Sequence, residues 1–406
     1  MNADPIQDPT QDPTWALDST IIQLNHGSFG ACPRLILARQ AELRSEMEAN
    51  LTQFMIRRLM GLLVPVREEL AAFVGADPQD LAFVRNATSG VNAVLRSFDL
   101  RPGDEVLVTD MEYGASRNAL DFVAERAGAK VVVVGIPFPV QSEDQILDRL
   151  LTQVTDRTRL LLIDHITSAT GLLLPIQRVV DAMKDRGVET LVDGAHGPGQ
   201  VPLELDKLGA LAYTGNCHKW LCTPKGSALL WVRRDWQDRV RPTAISHGAS
   251  VPAGGPRSRF LEEFDWTGTD DPTSWLCIPQ GIKFLRDQFP GGFVELRAYQ
   301  KSLVLHGRQQ LCDRLGIDVP APESMIAALA TVPLPDAESA APFSMADPDS
   351  LLQDLHERRF EVVVTPWPAP PKRIMRISAH IYNDRAQYDA LAVAVGNFFE
   401  GPKGTP

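Results

Sequence analysis

The amino-acid sequence predicts an α/β protein with a large domain, built on a mostly parallel sheet with helices on both faces, and a smaller α+β C-terminal domain. Short apolar runs alternate with helical patterns between residues 81 and 232, an alternation that is typical of parallel sheets. A long helical pattern over residues 293–315 then leads into a shorter region of mixed strand and helix patterns. The length of 406 residues accommodates both domains.

The predicted domain boundaries follow changes in composition along the chain. We expect a mobile N-terminal arm at residues 1–20, where Asp-Pro pairs recur. The large domain is predicted at 21–290, with its first segment packing on the small domain, and the small domain at 291–406. The N-terminal stretch lacks the basic and apolar regions of a secretory signal peptide, so we expect a cytoplasmic protein.

Composition and charge exclude several classes of function. The formal net charge of −11 argues against nucleic acid or an anionic membrane as the main partner. No apolar run approaches the roughly 20 residues that a membrane span requires. The five cysteines are scattered without a C-x-x-C pair, so the sequence predicts neither a disulfide framework nor a metal site.

Helical patterns cover residues 34–51 and a second stretch that we expect to break near Pro65. Strands are predicted at 81–84, 105–109, 130–134, 160–166, 190–192, 211–213 and 226–232, and the β-branched run at 130–134 is expected to be buried on both faces. Further helices are predicted at 273–289, 293–315 and 351–359, with strands at 325–329, 360–365 and 374–378, and Asn383 and Asp384 capping a last helix.

An acid and a lysine follow two of these strands. Asp193 ends the strand at 190–192, and Lys219 follows the run at 211–213. Ligands of open α/β sheets bind at the carboxyl ends of the strands, so neighbouring strands would bring both side chains into one crevice. Taken singly, Asp193 could be a helix cap and Lys219 a solvated lysine. A lysine amine facing a carboxylate is also the pair that pyridoxal phosphate needs.

Two polar turns are candidates for further contacts with a ligand. Thr88 and Ser89 lie between the strand at 81–84 and an apolar helix, where backbone N–H groups and hydroxyls can bind an anion. Either residue could equally be a simple N-cap. The glycine-rich turn L-N-H-G-S-F-G at 24–30 permits close approach of the backbone to a ligand, although spacing alone is also compatible with a plain turn.

The ordered motifs resemble a known family. V-D-G-A-H at 192–196, followed by N-C-H-K-W at 216–220 and P-K-G at 224–226, resembles the class V aminotransferase family of pyridoxal phosphate enzymes. The isopenicillin N epimerase-like branch of that family is similar in L-N-H-G-S-F-G, D-M-E-Y-G-A, W-T-G-T and R-I-S-A-H-I-Y-N. These motifs run from residue 25 to residue 383, and the resemblance implies the fold of the fold type I enzymes.

The resemblance assigns roles to individual residues. It implies that Lys219 binds pyridoxal 5'-phosphate as an imine and that Asp193 pairs with the pyridine nitrogen. It places Arg376 on the substrate carboxylate, with Asn25 and His26 nearby. The other implied contacts to the cofactor are Tyr113 stacking on the ring, Thr167 and His196 at the phenolic oxygen, and Thr88, Ser89, Asn216 and His218 at the phosphate. Thr269 of a second subunit would complete the phosphate site, which implies a homodimer with shared active sites.

The sequence leaves the reaction open after a proton is removed from the substrate Cα. Epimerisation follows the resemblance, and loss of a Cβ sulfur substituent would make the protein a C–S lyase acting on a cysteine conjugate. Aminotransfer is a further possibility, as is a catalytically silent binding relative. Residues 313–374 contain no cysteine, which argues against a persulfide mechanism of the cysteine desulfurase kind.

Overall fold

A computed structural model describes residues 14–252, 255, 257–337 and 349–400. A seven-stranded sheet forms the centre of the large domain. Its strands are β2 (Leu81–Val84), β3 (Glu105–Thr109), β4 (Lys130–Val134), β5 (Thr158–Asp164), β6 (Glu189–Asp193), β7 (Ala212–Asn216) and β8 (Ala228–Val232), after a short β1 (Ile22–Gln23) outside the sheet.

The sheet has the order β2-β8-β7-β6-β5-β3-β4. Strand β8 runs antiparallel to its neighbours β2 and β7, and the other pairings are parallel. Two apolar clusters cover the two faces, as expected when helices lie on both sides of a parallel sheet. The predicted fold class is therefore confirmed.

The helices surround this sheet and continue into the C-terminal region. Helices up to the end of the sheet are α1 (His26–Phe29), α2 (Arg34–Ala49), α3 (Leu59–Val74), α4 (Ala87–Ser97), α5 (Gly114–Ala127), α6 (Glu143–Leu151), α7 (Ile176–Lys184), α8 (Leu205–Leu208) and α9 (Cys217–Trp220). The later helices are α10 (Arg259–Asp265), α11 (Thr273–Leu276), α12 (Ile278–Arg286), α13 (Gly292–Leu315), α14 (Ser350–Glu357) and α15 (Arg385–Glu400). Among the described residues, no helix combines the length and apolar character needed to cross a bilayer.

A second, smaller sheet follows the long helix α13. Strands β9 (Leu329–Leu334), β11 (Val363–Pro366) and β12 (Arg373–Ser378) form an antiparallel sheet with β12 in the centre. Strand β10 (Phe360–Glu361) instead pairs in parallel with β1, so the chain near residue 22 packs on the C-terminal region. Asp384 caps α15 by accepting a hydrogen bond from the Gln387 backbone N–H at 3.1 Å.

Three local predictions were wrong. Strand β4 is an edge strand with exposed side chains, Val133 among them, because β3 is its single neighbour in the sheet. Helix α3 continues through Pro65, which lies in its second turn. The strand predicted at 325–329 begins at Leu329 instead, since residues 323–325 form a helical turn.

The predicted N-terminal arm is packed where the structure describes it. Residues 1–13 lie outside the described residues. Trp15 is buried, with its ring edge-on to Phe284, His380 and Tyr382 at centroid distances of 5.7, 5.8 and 5.1 Å. Aromatic contacts of this kind fix a side chain in place, so residues 14–20 are not a free arm.

Helix α4 approaches the sheet closely at a glycine. A Cβ atom added at Gly90 would lie 2.3 Å from the Thr214 hydroxyl oxygen on β7. Gly61 on α3 has no heavy atom within 4 Å of the corresponding position. Glycine is therefore needed at residue 90 for the packing of α4 and is dispensable at residue 61.

We predict opposite effects of the same substitution at these two helical glycines. Gly90→Ala should lower the free energy of unfolding by about 1–3 kcal/mol, because the added methyl group overpacks the contact with Thr214. Gly61→Ala should raise it by about 0.4–1 kcal/mol, since alanine reduces the entropy of the unfolded chain. Urea unfolding of both variants and the parent protein measures the difference. Equal stabilisation by both substitutions would contradict the packing argument.

Candidate active site

One cavity lies at the carboxyl ends of β5, β6 and β7 and brings most of the predicted site residues together. Its lining includes Asp193 at the end of β6, His196 just after it, and Lys219 on the helical turn after β7. The remaining lining residues are Ser28, Phe29, Asn86, Ala87, Thr88, Tyr113, Asp164, Ser168, Ala195, Asn216 and His218. The cavity therefore occupies the edge of the sheet where α/β proteins bind ligands.

Asp193 is the last residue of β6 and is fully buried. Its carboxylate accepts hydrogen bonds from the Ser116 hydroxyl at 2.7 Å and the Ala195 backbone N–H at 3.0 Å. Burial raises the pKa of Asp193, while these two hydrogen bonds and nearby Lys219 oppose the rise. The carboxylate is thus held in a fixed orientation at the floor of the cavity.

Lys219 lies on α9, a single helical turn that directly follows β7. Its Nζ lies 3.3 Å from His196 Nε2. Burial, assisted by the positive charge of Arg376, lowers the pKa of Lys219 to about 8. The other lysine of this segment, Lys225, donates a hydrogen bond to the Gly30 carbonyl at 2.6 Å. The structure therefore directs Lys219, and not Lys225, into the cavity.

The glycine-rich turn at 24–30 contacts the backbone around Lys219. His26 Nε2 lies 3.1 Å from the Lys219 carbonyl oxygen, and its Nδ1 lies 2.9 Å from the Tyr382 hydroxyl. Gly30, at φ 73°, approaches the same turn so closely that a Cβ would lie 2.2 Å from the His218 carbonyl oxygen. The glycine-rich turn therefore fixes the backbone of the lysine. Both ring nitrogens of His26 are engaged by protein atoms.

Arg376 projects from the central strand β12 of the small sheet and is buried. Its guanidinium donates hydrogen bonds to Asn25 Oδ1 at 3.1 Å, to the Ser28 hydroxyl at 3.0 Å and to the Ser168 carbonyl. No carboxylate in the described part of the chain forms an ion pair with it. Burial accordingly lowers the pKa of Arg376 to about 10. A buried guanidinium without an anion is a site suited to a carboxylate ligand.

The N-terminus of α4 contributes Asn86, Ala87 and Thr88 to the cavity lining. Asn86 caps the helix by accepting a hydrogen bond from the Ser89 backbone N–H at 2.8 Å, and Asn216 accepts one from the Ala87 N–H at 2.8 Å. The Thr88 side chain lines the cavity. His218 Nδ1 lies 2.9 Å from the Ser227 carbonyl oxygen, so Nδ1 carries the ring proton and donates this hydrogen bond. The other ring nitrogen, Nε2, does not take part in it. A helix N-terminus with adjacent polar side chains is favourable for a phosphate.

Several predicted residues have other surroundings. Asn216 acts on α4 as a cap, as described above. The Thr167 hydroxyl lies inside its own turn, where it accepts the Leu172 N–H at 2.8 Å, and the next residue, Ser168, lines the cavity instead. Thr269 is exposed and lies outside the cavity of its own chain. Tyr113 does line the cavity and is 45% exposed.

Two buried acids beside Asp193 were missed at the sequence level. Asp164 ends β5, and Glu112 precedes Tyr113; carboxylate oxygens of both lie within 4.8 Å of Asp193 and of each other. Burial, followed by repulsion among these acids, raises the pKa of Glu112 and Asp164 well above the usual carboxyl range. The strand predicted at 160–166 placed Asp164 inside a strand, whereas β5 ends at this acid just as β6 ends at Asp193.

The five cysteines all lie away from the cavity lining. Cys222 belongs to a buried group with His26 and His380 whose ligand atoms are close together. The imidazole rings of these two histidines are stacked, with centroids 4.0 Å apart and planes 16° apart. Nearly parallel rings do not direct their nitrogen lone pairs at a common point, so the group is an aromatic packing cluster.

Comparison with known proteins identifies the family. The family model described as aminotransferase class-V matches residues 33–391. The chain belongs to this family. Its cofactor is pyridoxal phosphate, and the protein is an enzyme of the class V group.

Individual relatives cover nearly the whole chain. The isopenicillin N epimerase of Streptomyces clavuligerus is 33% identical over 390 residues, which is 93% of this chain and 95% of the relative. An L-cysteine desulfhydrase of Arabidopsis thaliana is 28% identical over 78% of this chain and 71% of its own length. Among solved structures, the cystine C–S lyase C-DES in complex with cysteine persulfide superposes with a TM-score of 0.76 at 22% identity, over 93% of this chain and 97% of that one.

The side chains around the cavity fit this cofactor. Lys219 offers a buried amine for a covalent bond to an aldehyde, and Asp193 offers a fixed carboxylate for a ring nitrogen. The N-terminus of α4 with Thr88 offers donors for a phosphate. Ser89 is outside the cavity lining, and both its backbone N–H and its hydroxyl donate to Asn86 Oδ1. The amine, the carboxylate and the helix N-terminus face one cavity, as a compact ring with a phosphate group requires.

We predict that the cofactor-free protein binds pyridoxal phosphate covalently through Lys219 with a pH midpoint near 8. Below that pH the amine is protonated and has no lone pair for the aldehyde, whereas above it the amine is free. Borohydride reduction at a series of pH values, followed by peptide mapping, measures the labelled fraction. Lys219→Ala is the control, and a label on Lys225 would contradict the assignment.

Proposed function

We propose that the protein is an isopenicillin N epimerase-like enzyme that removes the Cα proton of an amino-acid substrate, with Lys219 as the base. The observation that carries this proposal is the arrangement of three groups around one cavity. Lys219 and Asp193 line it, and hydrogen bonds fix the Asp193 carboxylate. The buried Arg376 guanidinium has no anionic partner among the described residues and donates to Ser28 and Ser168, which line the same cavity.

Lys219 is suited to move a proton near neutral pH. A catalytic base is most effective when its pKa lies near the working pH, and burial brings the pKa of Lys219 to about 8. Pyridoxal phosphate, when bound, supplies an electron sink for the charge that develops at Cα, and Asp193 beside its ring nitrogen strengthens that effect. The residues of the chain supply the proton acceptor and the orientation.

Arg376 is proposed to orient the substrate through its carboxylate. Its N–H groups already form hydrogen bonds to Asn25, Ser28 and Ser168, and these contacts fix the plane of the guanidinium. A planar guanidinium pairs with a carboxylate through two parallel hydrogen bonds. Ser28, Ser168 and Lys219 all line the cavity, so a carboxylate bound at Arg376 would hold the substrate in the same cavity as the lysine.

The second candidate is a C–S β-lyase, and it begins with the same proton removal. The relatives at lower identity include cysteine desulfhydrases, which favours this outcome. A lyase of this chain would act by elimination, because none of its five cysteines lines the cavity to accept a sulfur atom. Aminotransfer shares the first step as well, although no second cationic anchor lines the described cavity.

We predict that turnover in D2O with a panel of L-amino acids and cysteine conjugates separates these outcomes. An epimerase exchanges the Cα hydrogen for deuterium and changes the configuration, whereas a lyase releases pyruvate and ammonia. Lys219→Ala should lower kcat by about 10²–10⁴-fold in either case, because the proton acceptor is lost.

Replacement of all five cysteines by serine or alanine is the matched control and should leave turnover largely intact. Selective loss of activity in that variant, with the fold retained, would contradict the cysteine-free mechanism. Pyruvate release without deuterium in recovered substrate would replace the epimerase proposal by the lyase.

We also propose a homodimer with shared active sites. Thr269 is exposed and lies outside the cavity of its own chain, which suits a contact to the phosphate of a second copy. Phe29 at the cavity rim is 75% exposed, and an apolar side chain of this size in a functional cleft favours burial against another surface. A second copy would cover both features.

We predict that two inactive variants restore activity when mixed. Thr269→Glu should abolish activity, because a carboxylate repels the phosphate of the partner site. Lys219→Ala abolishes activity through its own site. A hybrid dimer contains one site with both residues intact, so unfolding and refolding the two variants together should recover turnover. Absence of recovery, with hybrid dimers present by native mass spectrometry, would contradict shared sites.

A further inference from the structure

We infer that Trp220 is a positioning residue which fixes the proton of His196 on Nε2 and thereby holds the Lys219 amine in its uncharged form. The inference rests on the proposed role of Lys219 as the residue that binds the cofactor. It follows from the hydrogen-bonding capacities of three neighbouring side chains. Trp220 and Lys219 are adjacent on α9, and the His196 ring lies between their polar atoms.

The first contact fixes the acceptor nitrogen of His196. The Trp220 indole Nε1 lies 3.2 Å from His196 Nδ1. An indole N–H is a donor and never an acceptor, so His196 Nδ1 must accept this bond and carries no proton. Burial lowers the pKa of His196 well below its ordinary value, so the ring is neutral. A neutral ring has one proton, which then lies on Nε2.

The second contact passes this constraint to the lysine. His196 Nε2 lies 3.3 Å from Lys219 Nζ, and Nε2–H is a donor in this tautomer. A lysine ammonium has three donors and no acceptor, so it would leave two donors facing each other. The free amine has a lone pair and accepts the bond. The order of donors from indole to imidazole to amine therefore favours the uncharged lysine.

The surroundings prevent the chain of hydrogen bonds from rearranging. Trp220 and His196 are 1% and 2% exposed, so water does not compete for the contact between them. The Trp220 ring packs at 4.9 Å from the His26 ring, measured between centroids. The Gln200 side chain donates to the His196 carbonyl at 3.0 Å, which fixes the backbone of that residue. Rotation of the imidazole to exchange its nitrogens would break both contacts.

The charged groups around Lys219 have opposing effects on its pKa. The hydrogen bonds from Trp220 to His196 and from His196 to Lys219 can therefore decide whether the amine is charged. Arg376 on β12 disfavours the ammonium, and Asp193 and Asp164 at the ends of β6 and β5 favour it. The positive charge of Lys219 also lowers the pKa of three histidines, which are His26 on α1, His196 after β6 and His218 on α9. Of all these groups, His196 is the one that forms a hydrogen bond with Lys219 Nζ.

The tautomer of His196 in the cofactor-free protein tests the inference directly. Nitrogen NMR of ¹⁵N-histidine-labelled protein distinguishes a protonated from an unprotonated ring nitrogen, and the His196 signals are those missing from His196→Gln. We expect the proton on Nε2 in the parent protein. A proton on Nδ1, or a doubly protonated ring at pH 8, overturns the inference without any variant of Trp220.

Trp220→Phe then tests the effect on Lys219. It retains an aromatic ring and removes the indole N–H, so His196 becomes free to accept a hydrogen bond from the ammonium. The pH midpoint for covalent binding of pyridoxal phosphate should rise by roughly half to one pH unit, the size of one net hydrogen bond. The visible absorption of the bound cofactor should change its pH dependence in the same direction.

Trp231→Phe is the matched control, since Trp231 is also buried and donates its indole N–H to Asp206 at 3.0 Å, outside the cavity. It should leave the midpoint unchanged. An unchanged midpoint in Trp220→Phe, or equal shifts in both variants, overturns the inference. Labelling of a lysine other than Lys219 would instead refute the proposed function, while the NMR result for His196 would stand independently.

Discussion

The parallel pairing of β5, β6 and β7 is the constraint on which the whole site depends. Its register places Asp164 beside Asp193, and Asp193 beside Thr214. Because parallel strands end at the same edge, one register decides that an acid, a second acid and the turn carrying Lys219 meet in one cavity. A shift by one residue would turn each of these side chains to the other face of the sheet. The chemistry of the site is therefore specified by the core of the large domain.

Burial shifts the pKa of each charged group of this site. Asp193, Lys219 and Arg376 all lose water, and each has a pKa displaced toward its neutral form. Hydrogen bonds from Ser116 and Ala195 limit the displacement at Asp193, so it is the acid of the cluster best supported as a carboxylate. Burial and mutual repulsion outweigh the backbone hydrogen bonds at Glu112 and Asp164, whose pKa values rise further, so these two acids take the proton more readily. One cavity thus holds chemically distinct acids a few ångströms apart.

The sequence was sufficient for the sheet and for the residues carried by strand ends. Asp193 and Lys219 could be predicted because strand order and strand ends follow from local patterns. Contacts across long separations could not be predicted in this way. Ser116 faces Asp193 from 77 positions away, and Asn25 reaches Arg376 over 351 positions. The exposed face of β4 was missed for the same reason, since a β-branched run does not reveal whether a strand has one neighbour or two.

The turn that carries Lys219 is tied to both ends of the chain. His26 contacts its backbone, the Leu24 carbonyl accepts the Ser378 N–H at 2.7 Å, and Asn383 donates to the Gln23 carbonyl at 2.8 Å. Contacts of such sequence separation form late, because long loops must close first. During synthesis on a ribosome, residues 23 and 24 would lack the last two of these contacts until Ser378 and Asn383 have left the exit tunnel. A nascent or truncated chain would therefore hold its lysine turn through an N-terminal turn that is not yet anchored on the small sheet.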